Sequence, residues 1–348
     1  MKLLTLDEAQ NIAITNNPSF KQAYFAVSAA KAVYYSSYSG YLPTISVGFD
    51  MSRSGTEPFN STAGSATRAT EFSPNMKLNW NVFDSFQREF KLLASKHSMH
   101  ATESAQTDAH RLLMRSVAYA YNQVLLSKAQ INIAIADMDY NRKLLKETKL
   151  KYEAGASTLS DVLNFEIKFN NAESSLYSAQ YSFAISKYAL AQLMGLTEGT
   201  IPDSVDFPEA LSLEEEMQLP EISIYLDMAL QNRPDLKQVR ELLEANKYNF
   251  YGSIVAFGPT VAFNATLNYS NRFDSVHPRY GNPPVGKKRT SKGSLTHSFN
   301  ISWEIFSGGR TYFNMRNVEA NMKIAEFQLV DKGSTVINEV RSAYDNYQ

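Results

Sequence analysis

The chain has 348 residues, with 34 basic and 35 acidic side chains and a formal net charge of −1, a balance that gives no electrostatic basis for binding nucleic acid. It contains no cysteine, which excludes disulfides, thiolate metal sites and thiol nucleophiles. No run of 18 apolar residues and no signal peptide is found, so we expect no transmembrane helix, and either a cytoplasmic protein or a chain that begins near a mature N-terminus.

Two helices are predicted at the start of the chain. Thr5 and Glu8 form a capping box, which apolar residues at helical spacing follow. This short helix should end by Asn16, because Pro18 disfavours helical geometry in the residue before it. A second helix is expected from about Ser19 to Ser39.

Two strands with one apolar and one polar face should follow these helices. From Ile45 to Met51, apolar residues alternate strictly with polar or small ones, which is the period of a strand. The alternation resumes at Met76, with Val82 on the apolar side and Phe83 on the polar side. The stretch between, from Gly55 to Ser73, is rich in Ser, Thr and Gly and is predicted to be a loop.

A very long helical hairpin is predicted next. Neither proline nor glycine occurs between Ser85 and Tyr152, and a helix of that length would be roughly 100 Å long. Gly155 is expected in the left-handed conformation, with Ser157 or Thr158 as the cap of a return helix. That helix should run from about Leu159 to Met194.

The second part of the chain repeats the order of the first. Asn17-Pro18 recurs as Arg233-Pro234, 216 positions later, and Trp80-Asn81-Val82-Phe83 recurs as Trp303-Glu304-Ile305-Phe306, 223 positions later. We therefore predict a duplicated module, with a first repeat over 1–200, a linker over 201–220 that includes the acidic segment Asp203 to Leu219, and a second repeat over 221–348. Since no stop signal precedes Gln348, this repeat is expected to be truncated within its long helix.

The elements of the second repeat follow the same scheme. Helices are expected over Ile222–Gln231 and Asp235–Phe257, and alternating strands over Val261–Tyr269 and Phe299–Ile305. The stretch from Asn271 to Gly293 is predicted to be a loop. Its residues Lys287-Lys288-Arg289 could indicate nuclear targeting or lipopolysaccharide contact, although an exposed loop is the simpler interpretation.

The four strands match the strands of a membrane-spanning barrel. Each has about ten residues, one apolar face and aromatic residues toward its ends. Four strands cannot close a barrel, and open edges in a bilayer would leave backbone groups unpaired at a cost of several kcal/mol each. We therefore expect two or three copies to complete the sheet, with the polar faces lining a lumen. The residues predicted to face lipid are Ile45, Val47, Phe49, Leu78, Trp80, Val261, Phe263, Leu267, Ile301 and Trp303, of which the two tryptophans are interpreted as interface anchors.

Three other interpretations are weighed against this one. A soluble sandwich would have alternating strands, but it has no need of such long helices. A coiled-coil scaffold or surface adhesin would keep the helices, but it gives no reason for the strands. An enzyme is disfavoured because catalytic and phosphate-binding motifs are absent from the sequence. His97, His100 and Glu103 have metal-ligand spacing, yet a solvated helix face is favoured, and we expect neither metal nor cofactor.

Short motifs are spread over the whole chain. They are Leu4-Thr5-Leu6-Asp7-Glu8-Ala9, Asn16-Asn17-Pro18, Leu42-Pro43-Thr44, Val117-Ala118-Tyr119-Ala120-Tyr121, Lys151-Tyr152-Glu153-Ala154-Gly155, Ser160-Asp161-Val162-Leu163, Leu190-Ala191-Gln192-Leu193-Met194-Gly195-Leu196, Asn232-Arg233-Pro234-Asp235-Leu236, Phe306-Ser307-Gly308-Gly309 and Glu339-Val340-Arg341. In combination they resemble the outer-membrane efflux proteins of the TolC family. Two positions depart from the pattern: Lys151 stands where the family usually has arginine, and Asp84-Ser85 is interpreted as replacing the Gly-Gly of the second copy.

The resemblance implies an α+β membrane protein with internal duplication. Each protomer would contribute four strands to an oligomeric transmembrane β-barrel, continued by long helical hairpins that form a periplasmic tunnel. A homotrimer with a twelve-stranded barrel in the bacterial outer membrane is implied, with no catalysis. It would conduct substrates from an inner-membrane pump and a periplasmic adaptor to the exterior, in efflux or type I secretion. The family's adaptor contact maps to the hairpin tip, at Lys151, Tyr152, Gly155, Ser157, Thr158 and Asp161, and the family's gate residues would fall beyond Gln348.

Overall fold

A computed structural model describes residues 2–56, 65–202, 204–209, 220–278 and 286–347. The chain forms two compact units, each built from separate stretches of sequence. The first unit comprises Met1–Ala29, Thr102–Gln238 and Gly333–Gln348, and the second comprises Ala30–Ala101 and Val239–Lys332. Each unit therefore contains parts of both sequence repeats.

The predicted helices are confirmed, with most ends displaced by one or two residues. They are α1 (Leu6–Asn16), α2 (Pro18–Ser37), α3 (Gln87–Glu153), α4 (Leu159–Leu193), α5 (Ile222–Asn232), α6 (Pro234–Val255) and α7 (Arg310–Tyr347). The predicted capping box is present, since the amide of Glu8 donates to Thr5 Oγ1 at 3.3 Å and the amide of Thr5 donates to Glu8 Oε2 at 3.5 Å. None of the helices in the described ranges has both the length and the apolar character needed to cross a membrane.

The core of the first unit forms where α1, α3 and α4 meet. Small residues of α1 allow the helices to pack closely. Among the described residues, Phe207 has the largest fully buried side chain. Strands β1 (Lys2–Leu3) and β4 (Val205–Asp206) pair in parallel beside this core. The buried residues contributed by these elements and the segments between them are Leu4, Ala9, Ala13, Leu113, Val117, Ala120, Tyr121, Val124, Leu190, Ala191, Met194, Ile201 and Phe207.

The segment predicted to be an acidic linker begins inside this packed region. Lys128 Nζ donates to Asp206 Oδ1 at 2.8 Å and to the carbonyl oxygen of Phe207. The bond from Lys128 lowers the pKa of the Asp206 carboxyl, and the amide of Phe207 has the same effect. Residues 203 and 210–219, which make up most of the acidic segment, lie outside the described residues.

The second unit contains a four-stranded antiparallel sheet. Its strands are β2 (Thr44–Thr56), β3 (Ser65–Phe83), β5 (Thr260–Pro278) and β6 (Gly286–Ser302), and they neighbour one another in the order β2-β3-β5-β6. The two edge strands, β2 and β6, come from different repeats. Since the direction alternates at every step, these two edges run in opposite directions.

Both predicted loops in the sheet region are wrong in extent. The stretch from Gly55 to Ser73 belongs largely to strands, because β2 continues through Thr56 and β3 already begins at Ser65. Likewise β5 continues to Pro278, and Lys287-Lys288-Arg289 lies within β6 rather than in a loop. The backbone ladder continues where the apolar alternation stops, because the ladder is made by backbone N–H and C=O groups and does not require apolar side chains.

Two local irregularities mark the junction between strand and helix. A register shift between Asn81 and Phe83 places Phe83 opposite Val261, so Phe83 joins the apolar row instead of the predicted polar face. Helix α3 then starts two residues later than predicted, because Ser85 (φ 58°) and Phe86 (φ 68°) take positive φ angles.

The second copy has the same turn at the corresponding positions. Gly308 (φ 65°) and Gly309 (φ 87°) precede α7, and by the spacing of 223 they correspond to Ser85 and Phe86, which corrects the match to Asp84-Ser85. The left-handed conformation costs a non-glycine residue about 1–2 kcal/mol. Ser85 is held there by a hydrogen bond from its hydroxyl to the carbonyl oxygen of Pro259 at 2.6 Å.

Candidate functional site

The apolar face of the sheet gathers the strand residues that are predicted to face lipid. Neighbouring strands place Ile45 beside Leu78, Val47 beside Met76 and Trp80 beside Phe263. Val261 and Phe263 in turn lie opposite Ile301 and Phe299. Much of this face lacks cover in a single chain: Val47 is 74% exposed and Ile301 is 76% exposed, whereas Leu78, Val261 and Phe263 are partly buried. Burying such a face in lipid is favourable in proportion to its area.

The residues predicted to face lipid did not include every member of this face. Met76 and Phe299, which the sequence placed in the apolar alternation, and Leu295, which it did not, lie in the same rows as the predicted residues. His297, which lies opposite Ala265, interrupts the alternation in β6 and therefore concealed Leu295. Trp303 follows the last residue of β6 directly and is 62% exposed.

The other face of the sheet is polar over its whole length. Cross-strand rows combine asparagine, serine and threonine, as in the pair Asn79 and Asn264 and the pair Asn75 and Asn268. A cavity of about 970 Å³ in the same unit continues this surface. Its lining includes asparagines from the sheet, from α6 and from α7, namely Asn79, Asn81, Asn246, Asn249, Asn264, Asn314 and Asn321. Such a surface can exchange hydrogen bonds with water and with solutes of either charge.

The two tryptophans make equivalent contacts in the two copies. Trp80 Nε1 donates to the carbonyl oxygen of Tyr41 at 3.1 Å, and Trp303 Nε1 donates to that of Phe257 at 2.9 Å. At the first of these junctions, Arg88 donates to three further main-chain carbonyl oxygens. Each indole has its polar atom satisfied while its ring stays exposed, which is the arrangement of an interface aromatic residue.

The predicted hairpin tip is a compact, capped turn in the first unit. Gly155 has φ 76°, as expected for its place after α3, and the amide of Ala156 donates to the carbonyl oxygen of Lys151 at 2.7 Å. Thr158 caps α4 and forms a capping box with Asp161. Ser157 adds a second hydroxyl-bearing residue, since its Oγ donates to Asp161 Oδ2 at 3.1 Å.

Hydrogen bonds fix the charge state of the tip carboxylate. The hydroxyl of Thr158 donates to Asp161 Oδ2 at 2.6 Å, and the amide of Thr158 donates to the same oxygen at 3.0 Å. Because these bonds favour the ionised form, and the bond from Ser157 adds to them, the pKa of Asp161 is lowered. The tip therefore presents a fixed negative charge at the start of α4.

The tip also exposes apolar side chains, two of which, those of Leu159 and Leu163, sequence reasoning missed. Tyr152 is 44% exposed, and Leu159 and Leu163, in the first turns of α4, are 54% and 49% exposed. The sequence already indicated these two leucines, because both lie just after the predicted cap of the return helix and no residue was predicted to cover them. Lys151 and Gly155 are also exposed, so the predicted tip residues share one small surface.

The histidines of the long helix form a side-chain pair instead of a metal site. His97 Nδ1 lies 2.7 Å from Glu241 Oε2, and its ring stacks on Tyr248 with 5.2 Å between centroids. The ring of His100 lies 6.4 Å from that of His97. Within the described ranges, no three His, Cys, Asp or Glu side chains are placed to hold a metal ion.

Comparisons with known proteins agree with one another. The model of the family described as "Outer membrane efflux protein" matches residues 10–196 and 225–348. The chain is 23% identical to the alkaline protease secretion protein AprF of Pseudomonas aeruginosa, over 98% of this chain and 69% of that protein. It is 24% identical to the outer membrane protein TolC of Vibrio cholerae, over 98% and 74%. The solved structure of VceC, also from Vibrio cholerae, has the same fold, with a TM-score of 0.76 at 19% identity over 99% of this chain and 79% of that one.

Proposed function

Because the chain belongs to the outer membrane efflux protein family and is an efflux or secretion channel of the bacterial outer membrane, we propose that it is a passive conduit. Substrates would enter it from an inner-membrane pump through a periplasmic adaptor and leave to the exterior, without any chemistry on the way. The observation that carries this proposal is the antiparallel sheet with one exposed apolar face and one polar face. A coiled-coil scaffold outside a membrane gives no reason for such a sheet.

The open edges of the sheet support assembly into a homotrimer. Edge strands β2 and β6 run in opposite directions, so β6 of one protomer can continue the antiparallel ladder with β2 of the next. Closure removes backbone groups that would otherwise be unpaired in lipid. Three copies would give twelve strands, enough to enclose a lumen lined by the polar face.

The equivalent tryptophan bonds support the division into repeats, which is part of the proposal. Trp80 and Trp303 contact carbonyl groups at matching positions in residues 1–200 and 221–348. Segment 201–220 would then join two copies of one module. Each copy supplies two neighbouring strands to the sheet, so both are needed for one protomer's share of the barrel.

The hairpin tip is the proposed docking point for the adaptor. The proposed contact residues are Lys151, Tyr152, Gly155, Ser157, Thr158 and Asp161. The rigid capped turn supports this role, because a turn that is already ordered loses little conformational entropy on binding. Exposed apolar side chains beside a cation and a carboxylate are a suitable surface for a helical partner.

Variants at the tip test the docking proposal. Gly155→Pro is incompatible with a φ of 76°, and Ser157→Trp adds bulk to the contact surface while breaking the bond to Asp161. Both should leave trimers in the outer membrane, measured by unboiled gel mobility of membrane fractions, but abolish dye extrusion in cells that supply the adaptor and pump. Ser175→Trp, at an exposed position in the middle of α4, is the matched control and should extrude normally.

Each part of the proposal has its own refuting result. Normal extrusion by Ser157→Trp would show that the tip is not the docking point. Single-channel recording in planar bilayers tests the conduit itself, because a trimeric tunnel must show at least occasional openings. Complete absence of conductance from inserted trimers would exclude a conduit.

A further inference from the structure

The exposed apolar face of the sheet carries a band of apolar side chains, which we call the apolar band. Just beyond this band, two rows of the sheet carry basic side chains. In the first row, Arg53 of β2 and Arg289 of β6 lie at the two edges, with Thr70 and Phe273 between them. In the second row, Arg68 of β3 and Lys287 of β6 flank Ser275. We call these four residues, Arg53, Arg68, Lys287 and Arg289, the basic rows; all four are exposed.

The basic rows lie on the same face as the apolar band. Arg53 is two residues beyond Met51, and Met51 pairs with Phe72, the last apolar pair of that band. Because side chains two residues apart point to one face, Arg53 lies about 7 Å beyond Met51 along the strand. Phe273 remains 48% exposed in the first basic row, with the Arg289 guanidinium 5.3 Å from its ring centre. The charges thus begin where the apolar surface ends.

Among the described residues of the sheet, the carboxylates at this level lie only on the polar face. The carboxylates Asp50, Glu71 and Asp274 lie on the polar face and have partners there: Arg272 Nε donates to Asp274 Oδ1 at 2.8 Å, and Ser270 Oγ donates to Glu71 Oε1 at 2.5 Å. Among the described residues, the basic rows have no carboxylate between them and form no ion pair. Their positive charge is therefore available to an external anion.

The spacing of the basic rows suits a surface of phosphate groups more than a single small anion. Arg68 and Lys287 are two strands apart, about 10 Å, and Arg53 and Arg289 are three strands apart, about 14 Å. Arginine forms forked hydrogen bonds with phosphate oxygens. Four cations at the rim of a lipid-facing surface match the level of lipid headgroups.

We propose that the basic rows bind the phosphate groups of anionic membrane lipids in the leaflet at the end of the sheet where β2 and β5 end and β3 and β6 begin. The inference rests on the proposed placement of the apolar face against lipid. Bound headgroups would set the depth of the sheet in the bilayer, with Phe273 at the boundary between acyl chains and headgroups. Each cation should raise the preference for anionic over zwitterionic phospholipid about fivefold at low salt.

The sequence contains a matched control for this proposal. Lys288 lies between Lys287 and Arg289 but faces the polar side, opposite Asp274, and Lys292 lies on that same side opposite Ser270. The double variants Lys287→Gln/Arg289→Gln and Lys288→Gln/Lys292→Gln therefore remove equal charge from the same strand but from opposite faces.

The measurement is lipid selectivity of the full-length chain in phosphatidylcholine vesicles. Electron spin resonance compares the fraction of spin-labelled phosphatidic acid at the protein surface with that of spin-labelled phosphatidylcholine. The unmodified chain should enrich phosphatidic acid. Lys287→Gln/Arg289→Gln should lose at least fivefold of that preference, whereas Lys288→Gln/Lys292→Gln should stay within about twofold of the unmodified chain.

Three results would overturn the inference. They are equal selectivity for both lipids in the unmodified chain, equal losses in the two double variants, and loss of the preference in inorganic phosphate but not in sodium chloride of the same ionic strength, which would indicate a site for free anions. Conductance is recorded on the same vesicles. A lipid preference that persists without conductance would support the lipid site while refuting the conduit.

Discussion

Among the described glycines of the first unit, Gly195 is the one at which an added methyl group should lower the free energy of unfolding most. It follows α4 with φ 69°, and a Cβ atom there would lie 2.7 Å from the backbone carbon and oxygen of Asn16 and 2.9 Å from the backbone nitrogen of Asn17. Asn17 cannot easily retreat, because its side chain donates to the carbonyl oxygen of Leu193 at 2.9 Å and accepts from the amide of Phe20 at 3.0 Å. The change Gly195→Ala therefore forces backbone against backbone.

A matched variant separates the loss of unfolding free energy expected for Gly195→Ala into two parts. Gly199 has nearly the same φ, 68°, but a Cβ atom there would meet nothing within 4 Å. Gly199→Ala should cost only the left-handed conformation, about 1–2 kcal/mol. Gly195→Ala adds overpacking of about 1–3 kcal/mol and should therefore exceed Gly199→Ala by about 2 kcal/mol.

Guanidinium unfolding of the purified protein in detergent, followed by circular dichroism at 222 nm, measures this difference. Gly155→Ala is a second control, since its φ is 76° and its Cβ would also meet nothing within 4 Å. Free energies of unfolding that agree within about 0.5 kcal/mol for all three variants would refute the reasoning. Such a result would mean that the backbone between α1 and α2 moves aside without loss of unfolding free energy.

Two further predictions concern the same unit. Tyr121→Phe removes the hydrogen bond from the buried Tyr121 hydroxyl to the carbonyl oxygen of Leu4, 2.8 Å away, and should lower the unfolding free energy by about 1–2 kcal/mol; an unchanged denaturation midpoint would contradict this. The pKa of Asp206 lies below its ordinary 3.8, chiefly because Lys128 donates a hydrogen bond to its carboxylate. The pair of Lys128 and Asp206 therefore adds to the free energy of unfolding above about pH 4, and this contribution is lost as the pH falls through the lowered pKa. Asp206→Asn should therefore flatten the decline of stability below pH 4, and an unchanged acid profile would show that the pair contributes nothing.

The helices could be predicted closely because their signals are local. Capping residues at Thr5 and Thr158, a left-handed glycine at Gly155 and the lack of proline and glycine across α3 each act within a few residues. The duplication was equally visible, because both copies keep their order and spacing. The hairpin tip could be located because its glycine and its cap are local signals as well, although its exposed leucines were missed.

The strands were harder to delimit, because their ends depend on pairing between distant segments. The apolar alternation identified the membrane-facing candidates, but it begins well after the start of β3 and stops well before the end of β5. The bulge that moves Phe83 to the apolar row exists only in the register between β3 and β5. The basic rows were concealed in the same way, since Lys287 and Arg289 lie in a stretch predicted to be a loop.

Short-range physics, in the form of caps, breakers and side-chain periodicity, made the order of elements and the two-faced character of the strands readable from residue types alone. Only the folded chain decided which segments lie side by side, that Phe207 enters the core and that four cations share one face. Those outcomes require contacts between residues up to about two hundred positions apart, such as the pairing of Arg68 with Ser275. No local window of sequence contains both partners of such a contact, so their meeting is a property of the tertiary structure.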